Sequence, residues 1–127
     1  MIDRRTLVAT GLVASLGGTS FATVAEKTMY GMIGKITAKP GQRDALAKLL
    51  LSGSGAMPGC LSYVVSEDLK DADALWVAEA WDSKESHAAS LNLPAVRDAI
   101  AKARPLIAGF DTAAELKPIG GFGLGSR

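Results

Sequence analysis

The chain has 127 residues, of which 48% are hydrophobic, and it carries 14 basic and 13 acidic side chains with one cysteine and one histidine. A chain of this length forms one domain. Its nearly neutral charge, without a basic run, argues against nucleic acid and an anionic membrane surface as partners, because clustered lysine and arginine bind both. One cysteine and one histidine argue against an internal disulfide and a protein-bound zinc centre.

Residues 1–25 have the order of features of a removable export signal. An arginine pair at positions 4 and 5 precedes an uncharged segment, residues 6–18, which is too short to span a bilayer. Small residues then allow cleavage after Ala22 or after Ala25. The arginine pair resembles the bacterial twin-arginine signal, with general secretion as the alternative. We therefore expect an exported, periplasmic protein without a stable membrane anchor, although a true start at Met29 would make it cytoplasmic.

Beyond position 28, four segments alternate like strands and three have the spacing and end signals of helices. The glycine-rich residues 120–127 predict a flexible tail. In chain order, the pattern predicts a strand over 30–39, a helix over 44–52, strands over 61–66 and 74–81, a short helix opened by Asp82 and Glu85 as a capping box, a helix from Pro94 to Ala103, and a strand over 110–119.

The order β-α-β-β-α-β predicts an α+β, ferredoxin-like split βαβ fold with an antiparallel sheet over residues 29–119. Its first and third strands are central, and both are apolar on two faces; in the third strand, Trp76 and Ala78 oppose Val77 and Trp81. Helices on one side of the sheet cover only one face. We therefore expect a second copy to cover the other face, giving a homodimer.

Four short motifs stand out in the sequence: Ala38-Lys39-Pro40-Gly41-Gln42, Met57-Pro58-Gly59-Cys60, Glu79-Ala80-Trp81-Asp82-Ser83 and Leu93-Pro94-Ala95-Val96. They carry a resemblance to the antibiotic biosynthesis monooxygenase (ABM) family, and the resemblance extends from Met29 to Ile119. The family implies a dimeric α/β barrel with a mostly apolar pocket in each subunit, between sheet and helices. Some members oxygenate phenols or hydroquinones with molecular oxygen and without metal or flavin, whereas others degrade haem or have no proven reaction.

The chain departs from the family at positions where relatives carry catalytic side chains. Two histidines of many quinol-oxidising relatives correspond to Ser90 and Ala95. The tryptophan and histidine of haem-degrading relatives correspond to Ser90 and Ile100. The resemblance therefore disfavours haem chemistry and implies a reaction without a cofactor.

Oxygenation of a phenol needs a group that favours the phenolate or its carbanion form, since this electron-rich species can pass an electron to oxygen. Histidine is the only side chain whose unperturbed pKa supplies a base near neutrality. His87 is therefore the catalytic candidate, and Ser90, on the same helical face, is a candidate for substrate binding. The alternatives are a surface or core histidine, and a helix-capping role for Ser90.

Three aromatic residues are further candidates for substrate binding. Tyr63 and Tyr30 can donate a hydrogen bond to a substrate oxygen, and Trp76 can form an aromatic wall for a flat substrate. Trp76 and Trp81 face opposite sides of their strand, so only one of them lines a pocket on a given face. The alternative for each of these residues is packing in the core or at an interface.

Two other residues have expected structural roles. Glu79 lies in an apolar row and needs a partner, which we expect to be a basic residue such as Lys35 at the dimer interface. Cys60 is expected to be buried as a small hydrophobic residue without chemistry.

The resemblance, together with these residues, favours an exported homodimer that oxidises a quinol or polycyclic phenol with molecular oxygen and no cofactor. Two alternatives are a non-catalytic dimer that binds or senses a small aromatic molecule, and a cofactor-free isomerase on the same barrel. Oxygen uptake separates the three, because only the oxygenase consumes oxygen.

Overall fold

The computed structural model describes residues 28–124, and the predicted export signal lies outside this range. No helix in the described range is long and apolar enough to cross a bilayer. The strands of this range are β1 (Tyr30–Ala38), β2 (Cys60–Glu67), β3 (Ala74–Trp81) and β4 (Ile107–Leu116), and its helices are α1 (Arg43–Ser52), α2 (Lys84–Ser90) and α3 (Pro94–Ala103), with a short 3₁₀ turn over Arg104–Leu106.

The strands form one antiparallel sheet in the order β2-β3-β1-β4. This order confirms the ferredoxin-like α+β fold and the central position of the first and third strands. The helices lie against one face of the sheet. There, Leu46 of α1 is fully buried among Ile36 of β1, Leu75 and Val77 of β3, and Ala103 of α3. The core thus lies between the helices and this covered face.

The cap of α2 differs from the sequence prediction. Ser83, rather than Asp82, is the residue before the helix, and its Oγ accepts a hydrogen bond from the Ser86 backbone N–H at 3.1 Å. Ser83 is still extended, with a φ of −162°, so its side chain can reach the free N–H groups of the first turn. The predicted capping box of Asp82 and Glu85 is therefore wrong, because the capping residue is Ser83, one position later in the chain.

The last strand begins and ends earlier than the sequence prediction of 110–119. Ile107 already pairs with Ala38 of β1, directly after the 3₁₀ turn. The strand ends at Leu116, two residues before Pro118. Proline has no N–H to contribute to a ladder, so it marks a natural end for this strand.

The second face of the sheet is not covered by any described helix. The register places Ile33 of β1, Ala78 of β3 and Val64 of β2 side by side on this face, with Trp76 on it as well. Val64 and Leu116 are 52% and 44% exposed. We call this surface the open face.

Candidate functional site

A cavity of about 330 Å³ lies between the helices and the covered face of the sheet. In the described part of the chain, no lysine or arginine lines it, and its polar side chains are few: Ser54, Tyr63, Glu79, His87 and Ser90. Its size is at the lower end of the range of ligand pockets, roughly 300–1,000 Å³. The apolar lining comes from every layer of the fold and includes Met32, Ile36, Leu50, Met57, Trp81, Leu91, Val96, Ile100, Ile107 and Phe110.

The side chains of His87 and Glu79 form a close pair in the wall of this cavity. The Nε2 atom of His87 lies 3.7 Å from Oε1 of Glu79, and the two side chains are only 19% and 15% exposed. Trp81 donates a hydrogen bond from Nε1 to the same Glu79 oxygen at 2.9 Å. Because α2 begins only three residues after the end of β3, the first turn of α2 places His87 close to Glu79 and Trp81 of that strand. The strand–helix connection therefore creates the pair.

The expected contact between Glu79 and Lys35 is wrong. In the antiparallel register, Lys35 is opposite Trp76 and Glu79 is opposite Met32, so the two side chains project from different faces of the sheet. Lys35 instead pairs with Asp71 at 3.7 Å. Glu79 has its histidine partner within the same subunit and on the cavity side.

The imidazole of His87 contacts two aromatic rings that are neighbours across β1 and β3. The Trp81 ring meets it edge to face, with centroids 5.4 Å apart and an interplanar angle of 77°. The Tyr30 ring is tilted by 45°, with its centroid also 5.4 Å away. Contacts of this kind restrict the orientation of a side chain.

Tyr30 does not occupy the position expected of a substrate donor. Its hydroxyl donates to Oε2 of Glu115 at 2.6 Å, and Tyr30 is not among the residues that line the cavity. This hydrogen bond, together with burial, raises the pKa of Tyr30 to about 12. Since a phenol has one proton to donate, the prediction that Tyr30 donates to a substrate oxygen is corrected.

Tyr63 lies on β2 directly opposite Glu79 of β3 and lines the cavity. Burial, and then the charge of Glu79, raise its pKa to about 12. The phenol is therefore neutral at physiological pH and keeps its proton as a donor. This geometry suits the predicted contact with a substrate oxygen.

Ser90 also lines the cavity and is 4% exposed. Its Oγ donates to the backbone carbonyl of His87 at 2.6 Å, so the hydroxyl can only accept a hydrogen bond from a ligand. The residue before α3 is Leu93, and no side chain caps this helix. The alternative capping role for Ser90 is therefore not what the structure shows.

The structure does not bring Trp76 to the cavity. Trp76 projects from the open face, and its Nε1 donates to Oδ2 of Asp68 at 2.8 Å. Trp81, on the same face of β3 as Glu79, lines the cavity instead. Strand alternation had already placed Trp81 and Glu79 together, and this was the signal that could have identified Trp81.

The comparisons with known proteins agree on one family. The family profile described as antibiotic biosynthesis monooxygenase matches residues 29–102. A solved structure from Chloroflexus aurantiacus, which bears the same family name, is 59% identical, with a TM-score of 0.73 over 77% of this chain and 100% of that chain. The chain belongs to the ABM family.

Two more distant solved structures share the fold. A protein from Pseudomonas aeruginosa is 22% identical, with a TM-score of 0.67 over 76% of this chain and 99% of that one. A Caulobacter crescentus protein that bears the ABM family name is 18% identical, with a TM-score of 0.67 over 80% and 99%. No curated protein matches the chain.

The ABM domain thus has one polar wall in an otherwise apolar cavity. Of the predicted site residues, it brings together His87, Tyr63 and Ser90, while Tyr30 contacts His87 but does not line the cavity. Glu79 and Trp81 complete the wall. Across residues 28–124, no group of three or more histidine, cysteine, aspartate or glutamate side chains is placed to hold a metal ion. The arrangement can accept a proton on an imidazole and stabilise the resulting charge with a carboxylate.

Proposed function

We propose that this ABM domain is a monooxygenase that oxidises a neutral quinol or polycyclic phenol with molecular oxygen and no cofactor. The observation that carries the proposal is the His87–Glu79 pair in the wall of an apolar cavity. A flat aromatic ligand fits the apolar walls. An anionic ligand does not, because the lining offers a carboxylate and, in the described residues, no lysine or arginine.

His87 is the general base in this proposal, and Glu79 stabilises the imidazolium that forms. The unprotonated imidazole takes a proton from the substrate, and the substrate becomes an electron-rich anion. The Glu79 carboxylate lies 3.7 Å from Nε2, close enough to offset the positive charge that His87 gains with the proton. General bases of this kind contribute roughly 10²–10⁴-fold to a rate.

The oxidation balances without a further reactant for an anthrone-type substrate, which has a CH₂ group between aromatic rings. The anion gives one electron to oxygen, and the resulting radical and superoxide combine into a C–O bond. The imidazolium returns its proton to the peroxide, and loss of water leaves a ketone. One CH₂ group and one O₂ molecule thus give one C=O group and one water molecule.

Tyr63 and the apolar walls have supporting roles in this scheme. The neutral Tyr63 hydroxyl donates a hydrogen bond to a substrate oxygen and favours the negative charge that develops there. The apolar lining excludes water from the anion and strengthens these electrostatic contacts.

The homodimer is part of the same proposal. The open face exposes Val64 beside Ala78 of β3, and Leu116 lies on the same face beside Gly31 of β1. Apolar residues exposed on one face of a small domain favour association. ABM proteins also commonly form dimers. We propose that two open faces pack together, and that the arginine pair and the apolar segment within residues 1–25 direct export to the periplasm.

Oxygen uptake tests the function. The purified protein is treated with a chelator and mixed with a panel of hydroquinones and anthrones, and the spontaneous rate is subtracted. We expect uptake that depends on protein and is lowered by Glu79→Gln. The matched control is Glu85→Gln, which removes an exposed carboxylate from α2 and should leave uptake unchanged.

The other outcomes assign the cavity differently. Turnover of a substrate without oxygen uptake would support the isomerase alternative. Ligand-dependent thermal stabilisation without turnover would support the binding alternative. Either result would contradict the monooxygenase proposal.

A further inference from the structure

Tyr30 occupies an unusual place beside the candidate base. It is the first residue of β1 and is 9% exposed. Its ring lies 5.4 Å from the imidazole of His87, centroid to centroid, and next to Trp81, its cross-strand partner on β3. Its role is not substrate binding, since it does not line the cavity and its proton is engaged by Glu115. A buried ring against a catalytic imidazole can instead determine how the imidazole is oriented.

Contacts with Glu115 and Lys84 hold the ring of Tyr30 in place. Glu115 of β4 accepts the hydroxyl proton at 2.6 Å, and its Oε2 atom lies 3.8 Å from Nζ of Lys84. Lys84 belongs to the first turn of α2, and its Nζ is also 5.6 Å from the centroid of the Tyr30 ring. The hydrogen bond keeps Glu115 ionised, because it lowers the pKa of this carboxyl, as does the charge of Lys84. Tyr30 thus links β1, β4 and α2 next to His87.

We propose that Tyr30 and Glu115 form a positioning pair for His87. The hydrogen bond clamps the phenol ring, and the ring confines the imidazole against Trp81 with Nε2 directed at Glu79. The effect on turnover rests on the proposed function, whereas the effect on the orientation of the imidazole does not. Without the clamp, the imidazole samples orientations in which Nε2 is turned away from Glu79 and from the cavity.

Three variants test the pair. Tyr30→Phe keeps the ring and removes the hydroxyl, and Glu115→Ala removes the acceptor. Glu115→Gln removes the charge but keeps an amide oxygen that can accept the phenol proton. The matched control is Glu85→Ala, an exposed glutamate of α2. Circular dichroism checks that each variant folds.

The first readout is the nuclear magnetic resonance spectrum of the imidazole, which is unambiguous because the chain has one histidine. We expect Tyr30→Phe and Glu115→Ala to shift or broaden the imidazole signals, and Glu115→Gln to restore most of the wild-type spectrum. The control should leave the signals unchanged. Wild-type signals in both Tyr30→Phe and Glu115→Ala would overturn the proposal.

The second readout is steady-state oxygen uptake. Loss of orientation at a base lowers kcat by about fivefold and leaves KM within about twofold, because substrate binding does not depend on the clamp. An unchanged kcat with altered imidazole signals would overturn the catalytic part of the proposal. If the wild type consumes no oxygen while the variants alter the imidazole signals, the proposed function is contradicted and the positioning pair is still supported.

Discussion

Tyr63 provides a quantitative test of the environment around Glu79. Its pKa is raised from 10.0 to about 12, mainly by burial and then by the charge of Glu79. At about 1.4 kcal/mol for each unit of pKa, the neutral phenol stabilises the folded state by about 3 kcal/mol relative to its ionised form. Because the folded pKa lies above the unfolded one, this stability is fully present below pH 10 and is lost as the pH rises through about 12.

The assay combines two measurements on Tyr30→Phe, in which Tyr63 is the only remaining tyrosine. Tyrosinate absorbance gives the pKa of Tyr63 directly, and denaturant unfolding at several alkaline pH values gives the loss of stability. The control is the double variant Tyr30→Phe/Tyr63→Phe, which contains no tyrosine and should lose less stability over this range. Glu79→Gln should lower the pKa of Tyr63 only in part, because burial remains. A Tyr63 that titrates at its ordinary value of 10.0 would refute the account.

Three other predictions concern the framework of the site. Leu46→Ala, at a fully buried position, should lower the free energy of unfolding by roughly 2–5 kcal/mol in calorimetry; a smaller loss would contradict the core assignment. Gly59→Ala should destabilise by at least about 1 kcal/mol, since Gly59 has a φ of +83° and an added Cβ would lie 2.5 Å from Oγ of Ser86; an unchanged melting temperature would argue against this packing. Ala78→Glu on the open face should convert the proposed dimer to a monomer in light scattering, and a persistent dimer would place the interface elsewhere.

Most of the fold could be predicted because its signals are local. Apolar residues on both faces of β1 and β3 identified these as the central strands. Pro94, a first-turn proline, marked the start of α3. The errors arose at boundaries. The choice between Asp82 and Ser83 as the cap depends on one φ/ψ value, and the start of β4 depends on its register with β1.

The site was less predictable because it depends on contacts between distant residues. His87, Tyr63 and Ser90 were identified by residue type and face. The partner of Glu79 was not, since the position of α2 relative to β3 decides whether Glu79 meets His87 or another base. The bond from Tyr30 to Glu115 joins residues 85 positions apart, and no local pattern indicates it.

The most direct test of the central claim is incorporation of labelled oxygen. The chelator-treated protein is incubated with oxygen-18 gas and an anthrone, and the ketone is analysed by mass spectrometry. We expect one labelled oxygen atom in each product molecule, formed at a rate that His87→Ala lowers by at least about tenfold. A product without label, or equal rates for the wild type and His87→Ala, would contradict base-dependent oxygenation in this cavity.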